Sequence, residues 1–240
     1  MKTPDWLVRT ELQTGKEGID KLLASHVLVI GLGGVGAAAA EMICRAGVGQ
    51  MTIADGDLIS ESNRNRQIPA LTSTVGKEKA KVMGDRLLDI NPQLKLKIIS
   101  QYLKDEPMES LLKGRFDYVV DAIDTLSPKI YLIYHAIKNN QKVVSSMGSG
   151  GRFDPTLVTI ADISETHHCQ FAYDIRKRLR HLGIHGGVKA IFSPEKVSKD
   201  TILHCEEIQN KKSIVGTISY MPTVFGCACA SVVIRDLIRN

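Results

Sequence analysis

Two arginines and three carboxamides crowd into Ser62-Asn63-Arg64-Asn65-Arg66-Gln67, a lysine follows at Lys79, and a further acid stands at Asp124. Together they offer one polyanion many hydrogen-bond donors and two kinds of cation. An acid beside a polyphosphate makes sense chiefly through Mg²⁺, which is held by one or two carboxylates plus the phosphates themselves. Such a set suits nucleotidyl transfer better than hydride transfer. Upstream, the apolar run Val27-Leu28-Val29-Ile30 enters Gly31-Leu32-Gly33-Gly34-Val35-Gly36, and Asp55 and Asp57 stand at the end of the next apolar run. The glycines let a phosphate approach bare backbone N–H groups at a helix N-terminus, and Asp55 falls where a ribose hydroxyl is held. By itself this fingerprint serves a redox dinucleotide as well as ATP.

For these residues to meet, they must lie at one edge of one sheet. The run before Gly31 reads as a strand, Val35 to Ala46 as a helix stopped at Gly47, and Met51 to Ala54 as the second strand. Lys77 to Ile90 is helical up to Asn91-Pro92, Leu94 to Ile99 alternates as a strand, and a short helix spans Pro107 to Leu112. Asp117 to Asp121 is a near-continuous apolar strand, Pro128 lies in the first turn of a helix, and Lys142 to Ser146 is the next strand. This alternation predicts an α/β fold, a Rossmann-like doubly wound, mostly parallel sheet with C-terminal strands and a C-terminal helix. Ligands then bind outside the carboxyl ends of the strands.

Ahead of this unit, Trp6 to Leu23 forms a helical arm broken at Gly15, with Leu7, Leu12, Ile19, Leu22 and Leu23 as its apolar contacts. After Gly148 the texture changes. A strand is expected at Leu157 to Ala161, a basic helix around Arg176-Lys177-Arg178-Leu179-Arg180-His181, another strand at Val188 to Phe192, and a small-residue helix at Val224 to Ile238. The charged, poorly periodic stretch 196–212 reads as a mobile loop. One continuous domain, 1–240, is expected: an arm (1–25), a nucleotide-binding half (26–147) and a substrate and dimer half (148–240).

The net charge is only +5, so the cluster from Arg176 to Arg180 matters more than the total; it can draw a polyanion or simply form a solvated helix face. Five cysteines, odd in number and unevenly spaced, fit reduced thiols. No apolar stretch approaches the roughly 20 residues of a membrane span, and the N-terminus lacks the apolar core of a signal peptide. A cytoplasmic protein without membrane insertion is expected. His167-His168 beside Cys169 lacks a second ligand pair for a metal, Cys227 and Cys229 read as small packing residues, and Cys205 as an ordinary loop thiol or a thioester former.

In order and spacing, Gly31 to Gly36, Asp55-Gly-Asp57, Ser62 to Gln67, Lys79 and Asp121-Ala-Ile-Asp124 resemble the adenylating superfamily of ubiquitin-activating enzymes and their bacterial relatives in molybdopterin and thiamin synthesis. The resemblance covers residues 9–146 and implies ATP and Mg²⁺. It places Gly31, Gly33, Gly34 and Gly36 on the nucleotide and Asp55, with Asp57 beside it, at the ribose. Asn63, Arg66, Gln67 and Lys79 then hold phosphates, and Asp124 serves Mg²⁺. It also implies that Arg9 reaches the site of a partner subunit, hence a homodimer; Arg9, Arg66, Lys79 and Asp124 form the catalytic set.

A closer similarity is to the branch of that family that makes cyclic threonylcarbamoyladenosine in tRNA. It rests on Arg9-Thr10-x-Leu12 with Gly15, Ser127-Pro128-Lys129 after Asp124, Gly148 to Thr156, Ala161-Asp162-Ile163, the 188–193 strand and the 216–226 segment. This implies adenylation of a threonyl carboxylate beside the anticodon, ring closure by the ureido group with net loss of water, and tRNA as partner. The cations of Arg176 to Arg180 become candidates for its backbone, with a sulfur-transfer protein as a further partner that the resemblance allows. Three alternatives stand beside it. One is adenylation of a sulfur-carrier C-terminus, although the paired Cys-x-x-Cys zinc motifs of those enzymes are missing. Another is an NAD(P)-dependent oxidoreductase, which leaves Lys79 and Asp124 without a task. The third is a non-catalytic tRNA-binding or sulfur-relay scaffold.

Overall fold

The computed structural model describes residues 3–208 and 211–239. In chain order the elements are α1 (Val8–Ala24), β1 (His26–Ile30), α2 (Gly34–Arg45), β2 (Gln50–Ala54), α3 (Lys79–Ile90), β3 (Lys95–Ile99), α4 (Asp105–Leu112), β4 (Tyr118–Asp121), α5 (Leu126–Lys138) and β5 (Val143–Ser146). Then come β6 (Thr159–Asp162), α6 (Gln170–His181), β7 (Lys189–Phe192), β8 (Ile202–Ile208), β9 (Lys211–Val215) and α7 (Tyr220–Arg239). The main sheet runs β3-β2-β1-β4-β5-β7-β6, with all pairs parallel except β6 against β7. The expected Rossmann-like α/β fold is what the chain adopts.

Two apolar clusters sandwich the sheet. One joins β1, β2 and β4 to α2, α3 and α7 through residues such as Val29, Ile43, Met83 and Phe225; the other joins Leu28, Val119 and Ala190 to α4, α5 and α6. Central strands buried on both faces need continuous apolar side chains, which is why these segments do not alternate. α7 packs so closely along α2 that a Cβ on Gly226 would fall 2.4 Å from the Val35 carbonyl oxygen. Small residues in α7 therefore serve a close helix crossing.

Register decides the site. Ile30 pairs with Ala54 on one side and with Asp121 on the other, so β1, β2 and β4 end level. The hydrogen bonds continue one step beyond: Gly31 N–H donates to Ala54 O at 2.8 Å and Ala122 N–H to Ile30 O at 2.9 Å. The glycine turn, Asp55 and the loop to Asp124 are thereby side by side.

Three expectations are corrected. The stretch 196–212 is not a structureless loop: β8 and β9 pair antiparallel within it, because Ile202, Leu203, Ile214 and Val215 supply strand-forming residues at both ends of a charged middle. Leu12 contributes no core contact and is 83% exposed; Gly15, at φ +74°, breaks the helix as expected, and the core contacts of α1 come from Ile19 and Leu22 beyond it. And α7 is, among the described residues, long and apolar enough to cross a membrane, with a mean hydropathy of 1.5. Half of its apolar stretch is buried against the rest of the chain, so its apolarity is accounted for by packing on α2.

Candidate active site

The glycines of the turn do different things. Gly31 has φ +87°, a conformation that favours glycine, and a Cβ there would meet Ala122 O at 2.7 Å. At Gly36 a Cβ would fall 1.7 Å from Gly31 O, so the first turn of α2 lies directly on the strand-to-helix turn. Gly34 is closed over by Pro222 of α7, whose Cβ would lie 2.6 Å from a methyl added there. Gly33 differs: its nearest such neighbour is Gln67 Nε2 at 3.8 Å. Its side is the open one, and α2, 12 residues long, directs its N-terminus there.

Asp55 is locked to this turn. Its Oδ2 accepts the Leu32 N–H at 2.6 Å and its Oδ1 the Asp57 N–H at 2.8 Å. Burial pushes its carboxyl up from the usual range, against the pull of the Lys79 charge and these two N–H groups. Lys79 does not lie on a solvated helix face. Its side chain is 6% exposed and Nζ donates to Asp57 Oδ2 at 2.6 Å. Its neighbour Lys81 is the exposed one, paired with Glu78.

Tyr102, beyond β3, also donates its hydroxyl to Asp57, and that hydrogen bond, with some burial, pushes its pKa up to about 12. A Cβ on Gly56 would run into Tyr102 N at 2.5 Å, so the glycine between the two acids admits this residue. Sequence reading missed Tyr102. Its position three residues after a strand end at the ligand edge was the available signal.

The 60–67 segment wraps the same crevice. Asn63 is buried and largely builds the turn: its Oδ1 accepts the Ser60 N–H at 3.1 Å, and its carbonyl accepts from Arg66 and Gln67 N–H. Gln67 is buried beside Gly33, and its Oε1 has no hydrogen-bond partner in the structure. Arg66 is half-buried, its Nη1 donating to Ser62 O and Asn65 Oδ1 at 2.8 Å each. Burial pulls its pKa down while the Asp124 carboxylate holds it up, so Arg66 and Asp124 feel one another across the crevice. Arg64 instead points to the surface, 2.6 Å from Glu61.

Asp124 is exposed on the loop after β4. That loop is held from beneath by Asp121, fully buried, whose Oδ2 takes Lys129 Nζ at 2.7 Å and Ser145 Oγ at 2.6 Å and whose Oδ1 takes the Ile123 N–H at 3.1 Å. Asp121 is thus a strand-end acid. Lys129, part of a motif in the sequence, acts as its buried counter-ion, a role its spacing of eight residues did not disclose.

The chain beside Arg9 packs at the far end of α2. Leu7, two residues earlier, touches Gly47, where a Cβ would meet Leu7 Cδ1 at 2.9 Å. Gly47 follows the far end of α2, about 18 Å from the glycine turn at 1.5 Å per residue.

Burial, partial at Cys227, disfavours the thiolate at three of the cysteines, Cys44, Cys227 and Cys229. Cys44, Cys169 and Cys229 are buried and Cys227 is exposed; burial pushes Cys44 up to about 11 and Cys229 to about 12. Cys205 lies in β8, its side chain outside the described part. Among the described residues no group of three or more His, Cys, Asp or Glu side chains is poised to hold a metal. His167 and His168 merely meet edge to face at 5.2 Å.

The crevice therefore gathers an anion-accepting turn, a buried lysine, a half-buried arginine and an exposed acid. Comparison with known proteins points the same way. The model of the ThiF family matches residues 8–240. The tRNA threonylcarbamoyladenosine dehydratase of Bacillus subtilis (strain 168) is 38% identical over 239 residues, 97% of this chain and 94% of that protein. The enzyme of the same name from Haemophilus influenzae is 38% identical over 164 residues, 68% of this chain and 63% of that protein. The crystal structure of the Escherichia coli tRNA N6-threonylcarbamoyladenosine dehydratase in complex with ATP superposes with a TM-score of 0.90 at 28% identity, covering 100% of this chain and 98% of that one. With the glycine turn, the paired acids and the cations all in place along residues so matched, the chain belongs to the ThiF family.

Proposed function

We propose that this protein is an ATP-dependent tRNA threonylcarbamoyladenosine dehydratase that adenylates the threonyl carboxylate of its substrate. The observation that carries this reading is the convergence of Gly33, Asp55, Lys79, Arg66 and Asp124 at one strand edge, within a chain that matches such a dehydratase over nearly its whole length. The half 26–147 holds the nucleotide, and 148–240 the substrate and a second subunit. The ribose lies against Asp55 and Asp57, the phosphates against the N-terminus of α2, Gln67, Arg66 and Lys79.

The substrate carboxylate oxygen attacks the α-phosphorus of ATP, the bond to the β-phosphate oxygen breaks, and pyrophosphate leaves. The ureido group of the same nucleoside then attacks the activated carbonyl carbon, the bond to AMP breaks, and the ring closes with the loss of one water overall. Arg66 and Lys79 align the phosphates and offset the negative charge that grows on the leaving oxygens. Burial of Lys79 keeps water from weakening that interaction. No enzyme thiol takes part, in keeping with the upward shifts of Cys44, Cys227 and Cys229.

The donor set fits Mg²⁺. An exposed carboxylate beside the phosphate side of the crevice, without an all-protein cage, is how Mg²⁺ is held when phosphates supply other ligands. Asp124 holds it, and when bound it offsets phosphate charge and makes the α-phosphorus more electrophilic. The packing of Leu7, two residues before Arg9, at the far end of α2 supports a homodimer in which each copy lends Arg9 to the other. A tRNA substrate is consistent with a cytoplasmic protein, with exposed Lys177, Arg178 and Arg180 of α6 as backbone contacts.

The test is to incubate the purified protein with ATP, Mg²⁺ and tRNA carrying the uncyclised modification, and to read the nucleoside by mass spectrometry. Loss of one water is expected. Unchanged nucleoside alongside adenylation of a sulfur-carrier C-terminus overturns the reading.

A further inference from the structure

A pair of aromatic rings borders the crevice and belongs to neither apolar cluster. Phe153 is 66% exposed and Tyr220 37%, and their ring centroids lie 6.1 Å apart at an interplanar angle of 72°. An edge-to-face contact of this kind leaves at least one ring face unstacked. The backbone beneath them is pinned. Tyr220 Oη donates to Phe153 O at 2.8 Å, and Glu195 Oε2 accepts the N–H groups of Phe153 and Asp154 at 2.9 and 3.0 Å. Gly151, at φ +70°, turns the chain just before, where a Cβ would strike Val197 at 2.4 Å. A large ring held out in water on a fixed backbone is preorganised for a ligand, since part of the ordering cost is met before binding.

Its place ties it to the nucleotide crevice. Tyr220 opens α7 two residues before Pro222, which closes on Gly34, and Thr217 O accepts the Asn65 side-chain amide at 3.0 Å. A buried arginine lies beside it. Arg152, directly before Phe153, is 4% exposed and donates Nη2 to the His168 carbonyl at 3.2 Å, while its Nε and Nη1 have no hydrogen-bond partner in the structure. The guanidinium thus keeps donors unused next to the two rings, while the Glu195 and Asp154 carboxylates are engaged with backbone N–H groups beneath them. Bases of single-stranded RNA loops are recognised by stacking on aromatic rings, whereas a basic helix face reads only the phosphates.

We propose that Phe153 and Tyr220 form a stacking platform for an unpaired base of the anticodon loop adjacent to the modified adenosine, so that the neighbouring carboxylate is presented to the crevice. This rests on the dehydratase reading above, and it assigns substrate positioning to two residues outside the nucleotide-binding set. Phe153 leads the contact, being the more exposed ring; Tyr220 holds Phe153 in place by its hydroxyl bond and the ring contact.

The test uses the full-length protein and an anticodon stem–loop RNA carrying the uncyclised modification, with Kd read by fluorescence anisotropy and turnover by mass spectrometry. Phe153→Ala weakens stem–loop binding about 5- to 100-fold, the range of one lost base stack, with KM for ATP unchanged; Phe153→Trp binds as wild type. A stem–loop made abasic beside the modified adenosine binds wild type as weakly as Phe153→Ala binds the intact loop, and Phe153→Ala loses nothing further on it. Wild-type affinity in Phe153→Ala overturns the platform, as does an equal rise in KM for ATP. Conversion of a dimer to monomer by Phe153→Ala also overturns it, since the occupant is then a second copy of the chain. A wild-type protein that binds the stem–loop in a Phe153-dependent way yet removes no water from it overturns the dehydratase reading and supports the platform.

Discussion

Lys79 Nζ lies 2.6 Å from Asp57 Oδ2, with the lysine nearly shut from solvent and the aspartate open to it. The ammonium is thus stored against an acid at the crevice mouth, and in the proposed mechanism it is the counter-charge for an incoming polyphosphate. Removing it takes away both a counter-charge for the phosphates and the partner of Asp57. Lys79→Ala is expected to lower kcat in ATP–pyrophosphate exchange by about 10²- to 10³-fold, the usual cost of one transition-state donor. Circular dichroism will show the fold retained. Activity within twofold of wild type would remove Lys79 from the mechanism.

Two glycines three positions apart separate fold from function. Gly36→Ala places a methyl 1.7 Å from Gly31 O, inside the turn, and is expected to cost about 4 kcal/mol or more in urea unfolding. Gly33→Ala, at φ −68° with only Gln67 Nε2 near, fits the backbone and should leave stability within about 1 kcal/mol. Its methyl instead projects into the open side, so ATP affinity measured by calorimetry falls. A Gly33→Ala protein that binds ATP normally would show that the phosphates lie elsewhere.

The buried pair beneath the Asp124 loop is a stability element. Lys129→Met leaves the fully buried Asp121 with Ser145 and one backbone N–H as its remaining partners. Breaking such a pair costs about 3–5 kcal/mol. The double variant Asp121→Asn with Lys129→Met should recover much of the loss, and chemical denaturation of the three proteins will show whether it does.

Nucleotide affinity should follow the titration of Asp55. Its carboxyl is raised by burial, so the folded protein takes up a proton at higher pH than the unfolded chain does. For folding, the native state binds more protons between the ordinary carboxylate value and the raised one, and the contribution of Asp55 to stability therefore grows as pH falls through that window. For binding the sign is opposite, because the ribose needs the charged acceptor. ATP affinity declines as pH falls through the raised value, and Asp55→Asn flattens that decline. An acid limb that survives in Asp55→Asn must belong to another group.

If Arg9 serves the partner's crevice, two inactive variants should complement one another. A mixed dimer of Arg9→Ala and Lys79→Ala subunits contains one crevice with an intact Lys79 and an Arg9 donated from the other chain. Mixing the two proteins after gentle unfolding is expected to restore cyclisation that neither shows alone. Failure to restore it, with mixed dimers demonstrated by mass spectrometry, would confine Arg9 to its own subunit.

Local pattern by itself was enough for the succession of strands and helices and for which residues fall at the candidate site's edge of the sheet. The glycine turn, Asp55 at a strand end, the donors from Asn63 to Gln67 and the acid at Asp124 were legible because each depends on spacing relative to a strand, and strand ends are set by short apolar runs. What those side chains do was decided in three dimensions. Only level pairing of β1, β2 and β4 sets Gly31, Asp55 and Ala122 abreast. That Lys79 is buried while Lys77 and Lys81 beside it are exposed is decided only where the chain between β2 and α3 returns Asp57 to it. Tyr102 and Lys129 enter the site region through contacts across 45 and 8 residues, distances over which residue type carries no directional signal. The β8–β9 hairpin was hidden for the same reason: pairing energy comes from a strand partner, and a charged segment shows its partner only once the chain has folded back upon itself.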